Sequence, residues 1–275
     1  MSVDTRILSP KFYPAFELRK IFAAVYPEHK DLTNTKDIEA FLRKDSDELA
    51  AKWNDSDQTD FSVYTDPRYL SEGLLSFLEV SIECHRVIGQ WRKYGLLKPG
   101  TTWFDMYSGV GVGTLHLAAL GMDVMVYNNN PDQIGAMKRL FDAYGYEHPT
   151  IVGDEWRDMK FDVVSCFEVF EHYKDARQIA AELASCVKPN GFFFESTGYR
   201  NPRLVGHFTE YDLDGVKVSG AKALSAVKTV LRNHGLYKVF DGFNMKPRIW
   251  KNVGVGNTAP HAGSIKDLRR AHGDE

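Results

Sequence analysis

The chain lacks several features that would each have fixed a function class. It has three cysteines in 275 residues, Cys84, Cys166 and Cys186. They form no Cys-x-x-Cys pair, so neither a zinc ribbon nor a disulfide framework is built. Reduced thiols in a cytoplasmic setting are expected. No apolar run approaches the ~20 residues that a membrane helix needs, and no membrane association is expected. The opening MSVDTRILSPKF has no apolar signal-peptide core. A basic excess is missing too. The formal net charge is -3, which gives no global attraction to nucleic acid. The lysine and serine/threonine of a P-loop are absent, as is the Gly-x-Gly-x-x-Gly spacing of dinucleotide sites.

What is present divides near Lys98-Pro99-Gly100. Before it, helical spacing dominates. FELRKIFAAVY aligns Phe16, Ile21, Phe22 and Val25; DIEAFLRKDSDELAAKW aligns Ile38, Phe41, Leu42, Leu49 and Trp53; Leu74, Leu78 and Ile82 recur every fourth residue. The polar stretch NDSDQTDFSVYTDPRY between the last two reads as a loop. After Gly100, strand and helix alternate. The strands are Thr102–Tyr107, DVMVY, TIVG, FDVVSCF and GFFFEST. Helices follow from about Val112, at PDQIGAMKRLFDAYGY, and at DARQIAAELASCVKPNG, which Pro189 and Gly191 should stop. Such alternation predicts an α/β fold, a Rossmann-like, mostly parallel sheet with helices on both faces. LYKVFDG and RIWKNVG, joined by FNMKP, predict a terminal antiparallel hairpin at the sheet edge.

The first strand runs into WFDMYSGVGVGT. In open α/β sheets ligands bind beyond the carboxyl ends of the strands, and glycine lets backbone approach a ligand. Gly109 and Gly111 are the candidates for that approach. Asp105 precedes the turn and can orient it or accept from a ligand ammonium. Asn128 ends the second strand, followed by Asn129. Asp154 and Glu155 follow the third, where an adenine amine can be read.

With FDVVSCFEVFEHYKDA added, residues 99 to 250 resemble the class I S-adenosylmethionine-dependent methyltransferases. Asp105-Met106-Tyr107-Ser108-Gly109-Val110-Gly111 resembles the family's loop around the amino acid part of the cofactor, with Tyr107 where the first glycine is usual. Asn128 stands where the family has Asp or Glu for the ribose. Phe161-Asp162-Val163-Val164, Phe167-Glu168-Val169-Phe170-Glu171-His172 and Lys188-Pro189-Asn190-Gly191 resemble the small-molecule branch. ESTGYRNPRLVGHFTEYD resembles the substrate loop of its quinone-ring O-methyltransferases.

The resemblance implies S-adenosyl-L-methionine as cofactor and S-adenosyl-L-homocysteine as product. It implies cofactor contacts at Asp105, Tyr107, Ser108, Gly109, Gly111, Asn128, Asn129, Asp154, Glu155 and Phe167. Acid–base help would come from His172, with Glu168 and Tyr107 beside it, since an imidazole of ordinary pKa near 6.5 can take a proton. Tyr199, Arg200, His207 and Tyr211 are the acceptor candidates, Arg200 suiting a carboxylate or phosphate. No metal is expected.

Cys166 reads as a buried thiol, not a pyrimidine-C5 nucleophile. The Asn/Asp-Pro-Pro-Tyr/Phe run of amino-group DNA methyltransferases is absent. Residues 1–98 are read as a helical lid, recognition or oligomerisation region, 99–255 as the methyltransferase domain and 256–275 as a tail. A small or medium-sized acceptor is expected, with homodimerisation through the N-terminal helices as a further expectation. The alternatives are a nucleic-acid base methyltransferase, for which LRKIF and WRKYGLLK offer basic and aromatic residues, and a non-catalytic binding protein that kept the fold.

Overall fold

A computed structural model describes residues 18–93, 95–198, 205–241 and 247–257. The expected tail, apart from residues 256 and 257, lies outside them, as do Tyr199, Arg200 and most of FNMKP. Five strands, β1 (Thr102–Met106), β2 (Asp123–Tyr127), β3 (Thr150–Ile151), β4 (Phe161–Phe167) and β5 (Val187–Ser196), are parallel. β8 (Leu236–Asp241) and β9 (Arg248–Asn252) close the sheet in the order β3-β2-β1-β4-β5-β9-β8, with β9 antiparallel to both neighbours. The predicted mostly parallel sheet with its terminal antiparallel hairpin is therefore present.

Side chains alternate across the sheet because successive strand residues point to opposite faces. Trp103, Val163, Phe194 and Ile249 enter one core; Phe104, Val164, Phe193 and Trp250 enter the other. The first core is covered by α5 (Val112–Ala119) and α6 (Pro131–Tyr144), the second by α7 (Arg177–Ser185) and α8 (Gly220–Asn233). Cys166 is fully buried, and all three cysteines are free thiols. Among the described residues no helix is long and apolar enough to cross a membrane.

Two boundaries differ from the periodicity reading. α7 ends at Ser185, and Lys188–Gly191 belongs to the span of β5. Asn190 there takes φ +65, and a Cβ on Gly191 would stand 2.7 Å from the Asp162 carbonyl. Pro189 and Gly191 thus shape the strand entry and not the helix stop. A small hairpin, β6 (Tyr211–Leu213) with β7 (Val216–Val218), was not anticipated, because three-residue strands carry almost no pattern.

The N-terminal helices are α1 (Leu18–Val25), α2 (Thr35–Asp55), α3 (Tyr69–Ser76) and α4 (Ile82–Lys93), with a π-helical turn, Phe77–Ser81, between the last two. Ile21, Phe22, Leu74 and Ile88 join the core of α5 and α6, while Leu49 and Trp53 of α2 join the opposite one. Their apolar stripes are thus buried within the chain. Trp53 is fully buried, and its Nε1 donates to the His207 carbonyl at 2.9 Å. It fastens α2 to the segment after β5. Trp53→Phe, which opens a void and orphans that carbonyl, should cost about 2–4 kcal/mol in a urea titration. An unchanged midpoint would mean that the two segments do not unfold together.

Candidate active site

The turn after β1 is organised by one buried carboxylate. Asp105 is 5% exposed and accepts from Thr114 Oγ1 (2.9 Å) and Ser165 Oγ (2.7 Å). It therefore ties β1 to α5 and to β4. Burial pushes its carboxyl up to about 6, with the two hydroxyls pulling the other way. Both oxygens are engaged, so orienting the loop is its observed work.

Tyr107 follows at φ +53, a left-handed conformation that costs a non-glycine residue about 1–2 kcal/mol. This is the position where glycine is usual. The matching position after β4, Glu168, has φ +52. Strained backbone at the ends of two adjacent central strands is the pattern expected of a working site.

Gly109 takes φ +54 and borders the cavity. Its would-be Cβ lies 3.9 Å from the backbone of Gly73 on α3. Gly111 was expected to clear space for a ligand. Instead its would-be Cβ meets Met137 Cγ at 2.3 Å, so its bare backbone admits α6. The turn is glycine-rich for two reasons, one facing the cavity and one facing the core.

Asn128 is 5% exposed, and its amide is fully used. Nδ2 donates to the Gly109 carbonyl (3.2 Å) and Gln133 Oε1 (2.9 Å); Oδ1 accepts from the Asn130 amide (2.9 Å). The Asn130 N–H requires an acceptor, which fixes the amide's orientation. Asn130 caps α6 through Asp132 N and Gln133 N, and its Nδ2 donates to the Tyr64 carbonyl at 2.6 Å. Asn128 thus braces the glycine turn. An acid at this position would lack both donors.

Beyond β4, Phe167 lines the cavity and meets the His85 ring edge-on at 5.5 Å. Glu171 is fully buried. Its Oε1 accepts from Gly198 N at 2.7 Å and lies 3.9 Å from His207 Nε2, while Oε2 meets no N–H or hydroxyl donor among the described residues. Burial, and then the facing Glu168, raise the Glu171 carboxyl well above its ordinary range; burial raises Glu168 as well.

The imidazole of His172 sits 3.2 Å from the Tyr64 hydroxyl through Nδ1, with the His207 ring at 4.9 Å. Burial, reinforced by His207, drives His172 down to about 3, against the pull of the Gly206 and Glu168 carbonyls. The half-buried imidazole is thus held neutral at ordinary pH, below the pKa near 6.5 expected for it. One ligand atom each from Glu171, His172 and His207 falls within 4.8 Å of the others. A carboxylate and two imidazoles suit a divalent transition metal, a donor set not foreseen in the sequence.

These groups converge on a cavity of about 490 Å³, within the range of small-molecule sites. Asp105, Tyr107, Ser108, Gly109, Asn128, Asn129, Phe167, Glu168, His172 and His207 all line it. Four expected residues do not. Asp154 is turned to solvent and pairs with Arg157 at 2.5 Å. Glu155 accepts from Gly153 N, and Gly111 packs on α6. Tyr211 is 2% exposed and donates to the Glu171 carbonyl at 3.3 Å.

Sequence reasoning missed Tyr64, Tyr69, Glu72, His85 and Gln133, which also line the cavity. Only the missing glycine at Tyr107 hinted that aromatic groups would gather here.

A family model described as a methyltransferase domain matches residues 104–194. Residues 104–194 thus carry a methyltransferase domain. Over 96 residues the chain is 31% identical to the ubiquinone biosynthesis O-methyltransferase of Saccharophagus degradans, covering 35% of this chain and 36% of that one. The enzyme of the same name from Burkholderia thailandensis is 29% identical over 108 residues, 38% of this chain and 47% of that one. The chain thus matches less than half the length of these relatives. A methyltransferase structure from Clostridium acetobutylicum aligns with TM-score 0.47 and 13% identity, over 61% of this chain and 89% of that one.

In this methyltransferase domain, Asn128→Asp should loosen the turn, since a carboxylate cannot donate to the Gly109 carbonyl. A loss of about 1–3 kcal/mol in denaturant titration is expected. Equal or greater stability would show that the amide donors are dispensable.

Proposed function

We propose that the protein transfers the methyl group of S-adenosylmethionine to a hydroxyl of a small acceptor, with residues 1–98 as its lid. The observation that carries this reading is the cavity at the carboxyl ends of β1, β2 and β4. There, bare backbone at Gly109 lies in the same space as Glu168, His172 and His207. The O-methyltransferase names of the relatives support oxygen as the target. Three free, buried thiols support a reducing, cytoplasmic compartment.

The cofactor supplies an electrophilic methyl on a sulfonium. With that group bound, an acceptor hydroxyl that took up the methyl would have to give its proton to a residue of this chain. Glu168 is the group placed to take it, since it lines the cavity and burial makes its carboxylate more basic than usual. His172, neutral and held by Tyr64, positions the hydroxyl. Tyr107 and Tyr173, joined through their hydroxyls at 3.3 Å, wall the space.

The Glu171–His172–His207 set supports a second element: a divalent cation held there would acidify an acceptor hydroxyl. Its test is activity after chelation, with add-back of magnesium, manganese or zinc.

The central test is calorimetric titration with S-adenosylhomocysteine, followed by transfer of a labelled methyl to pools of phenolic and alcoholic metabolites. Glu168→Gln should lower turnover by roughly 10²-fold or more while leaving homocysteine-adduct affinity within about threefold. Absence of cofactor binding in the folded wild type would overturn the reading. Full activity in Glu168→Gln would remove Glu168 from the proton path.

A further inference from the structure

The cavity does not end at the cofactor turn. Its lining extends to the N-terminal helices, where Asp47 of α2 and Glu79 of the π-helical turn are exposed and Glu72 of α3 is half-buried. Ser46 Oγ donates to Glu72, and Arg43 is engaged by Glu39 and Glu79. Five carboxyl side chains line the cavity among the described residues (Asp47, Glu72, Glu79, Asp105 and Glu168), against one guanidinium, Arg43, and no lysine.

Asp105 is answered by hydroxyls, and Glu168 lies beside the proposed methyl-transfer position. Neither explains the acids at the other end. Glu72 is half-buried, and among the described residues no cation is bonded to it; partial burial raises its carboxyl to about 7. A half-shielded carboxyl group without a positive partner favours a ligand that brings one.

Between the two ends stands an aromatic wall. The Tyr69 ring meets Tyr64 edge-on at 5.2 Å, and Phe61, 54% exposed, stacks on Tyr64 at 6.3 Å. The Tyr69 hydroxyl has no hydrogen-bond partner among the described residues.

Resting on the methyl-transfer reading, we propose that the acceptor is a ring compound bearing a protonated amine, with its ring against Phe61, Tyr64 and Tyr69 and its ammonium on Glu72 and Asp47. An aromatic ring suits the tyrosine wall, and edge or offset contacts also favour a nearby cation. The same wall disfavours carboxylated or phosphorylated acceptors, and with them nucleic acid, by like-charge repulsion.

Three matched probes test this without knowledge of the true acceptor: benzylamine, benzyl alcohol and benzoate. Each is titrated into the full-length protein loaded with S-adenosylhomocysteine, with binding followed by ligand-observed NMR. Benzylamine should bind about tenfold tighter than benzyl alcohol, and benzoate weakest. In Glu72→Gln and in Asp47→Asn the benzylamine advantage should shrink to about threefold or less, while benzyl alcohol is unaffected. Thermal denaturation and homocysteine-adduct affinity confirm that each variant is folded.

Equal binding of the three probes, tighter binding of benzoate, or no benzylamine binding while the cofactor product binds would each overturn the proposal. Tighter benzoate is the result expected if Arg200 pairs with an anionic acceptor. Failure of the cofactor product itself to bind would instead overturn the methyl-transfer reading, so the two failures are distinct.

Discussion

The site depends on how Asp105 is satisfied. A carboxylate at the end of the central strand is nearly inaccessible to water, and it keeps its place only because Thr114 and Ser165 donate to it. Those hydroxyls come from the next helix and the neighbouring strand. The three elements whose ends form the floor of the cavity are therefore locked through one group. With that floor fixed, Tyr107 and Glu168 are held in left-handed conformations that an isolated chain would abandon. Their side chains consequently leave the sheet direction and enter the cavity.

The second organising fact is that the N-terminal helical region is fastened to the loops that follow three strands. Tyr64 accepts from Asn130 after β2 and meets His172 after β4; Trp53 and Gln58 bind the backbone of His207 and Thr209 after β5. Gly73 brings α3 close to the glycine turn, with Val110 and Gln133 at the distance of ordinary contact. The π-helical turn then interrupts the helix that covers the site and lets Ser76, Phe77 and Ser81 line the cavity. On the proposed reading, exchange of cofactor and acceptor loosens some of these ties, because the N-terminal region and the groups lining the cavity share hydrogen bonds.

The sheet was legible in the sequence because each parallel strand is a short apolar run followed by a helix with its own periodic face. The positions after β1, β2 and β4 were legible for the same reason: topology places strand ends together whatever the side chains do. Individual roles were less legible. Asn128 looked like a weakened ribose reader, yet its three bonds brace the turn. Gly111 looked like ligand clearance, yet Met137 fills that space. Asp154 had the right offset, yet a five-residue 3-10 turn carries it to the surface beside Arg157. His172 had an ordinary pKa only as long as its burial was unknown. Tyr64 and Tyr69 were invisible as site residues because they fall in the polar stretch read as a loop, and Glu72 because helical periodicity says which face is apolar and nothing about which loop that face will cover.

The charge of the cavity links these observations to turnover on the proposed reading. S-adenosylmethionine enters with a positive sulfonium, and its product leaves with a neutral thioether. A cavity lined by five carboxyl side chains and one guanidinium favours the charged form over the neutral one. Methyl transfer removes the cofactor's positive charge and, with loss of the hydroxyl proton, leaves that proton on the protein side of the site. Glu168 then faces a neutral thioether, while its own burial remains unfavourable. Protonation of Glu168 relieves that strain without any contact to the product. The same electrostatic arrangement that gathers a cationic cofactor therefore weakens the hold on what the reaction leaves behind.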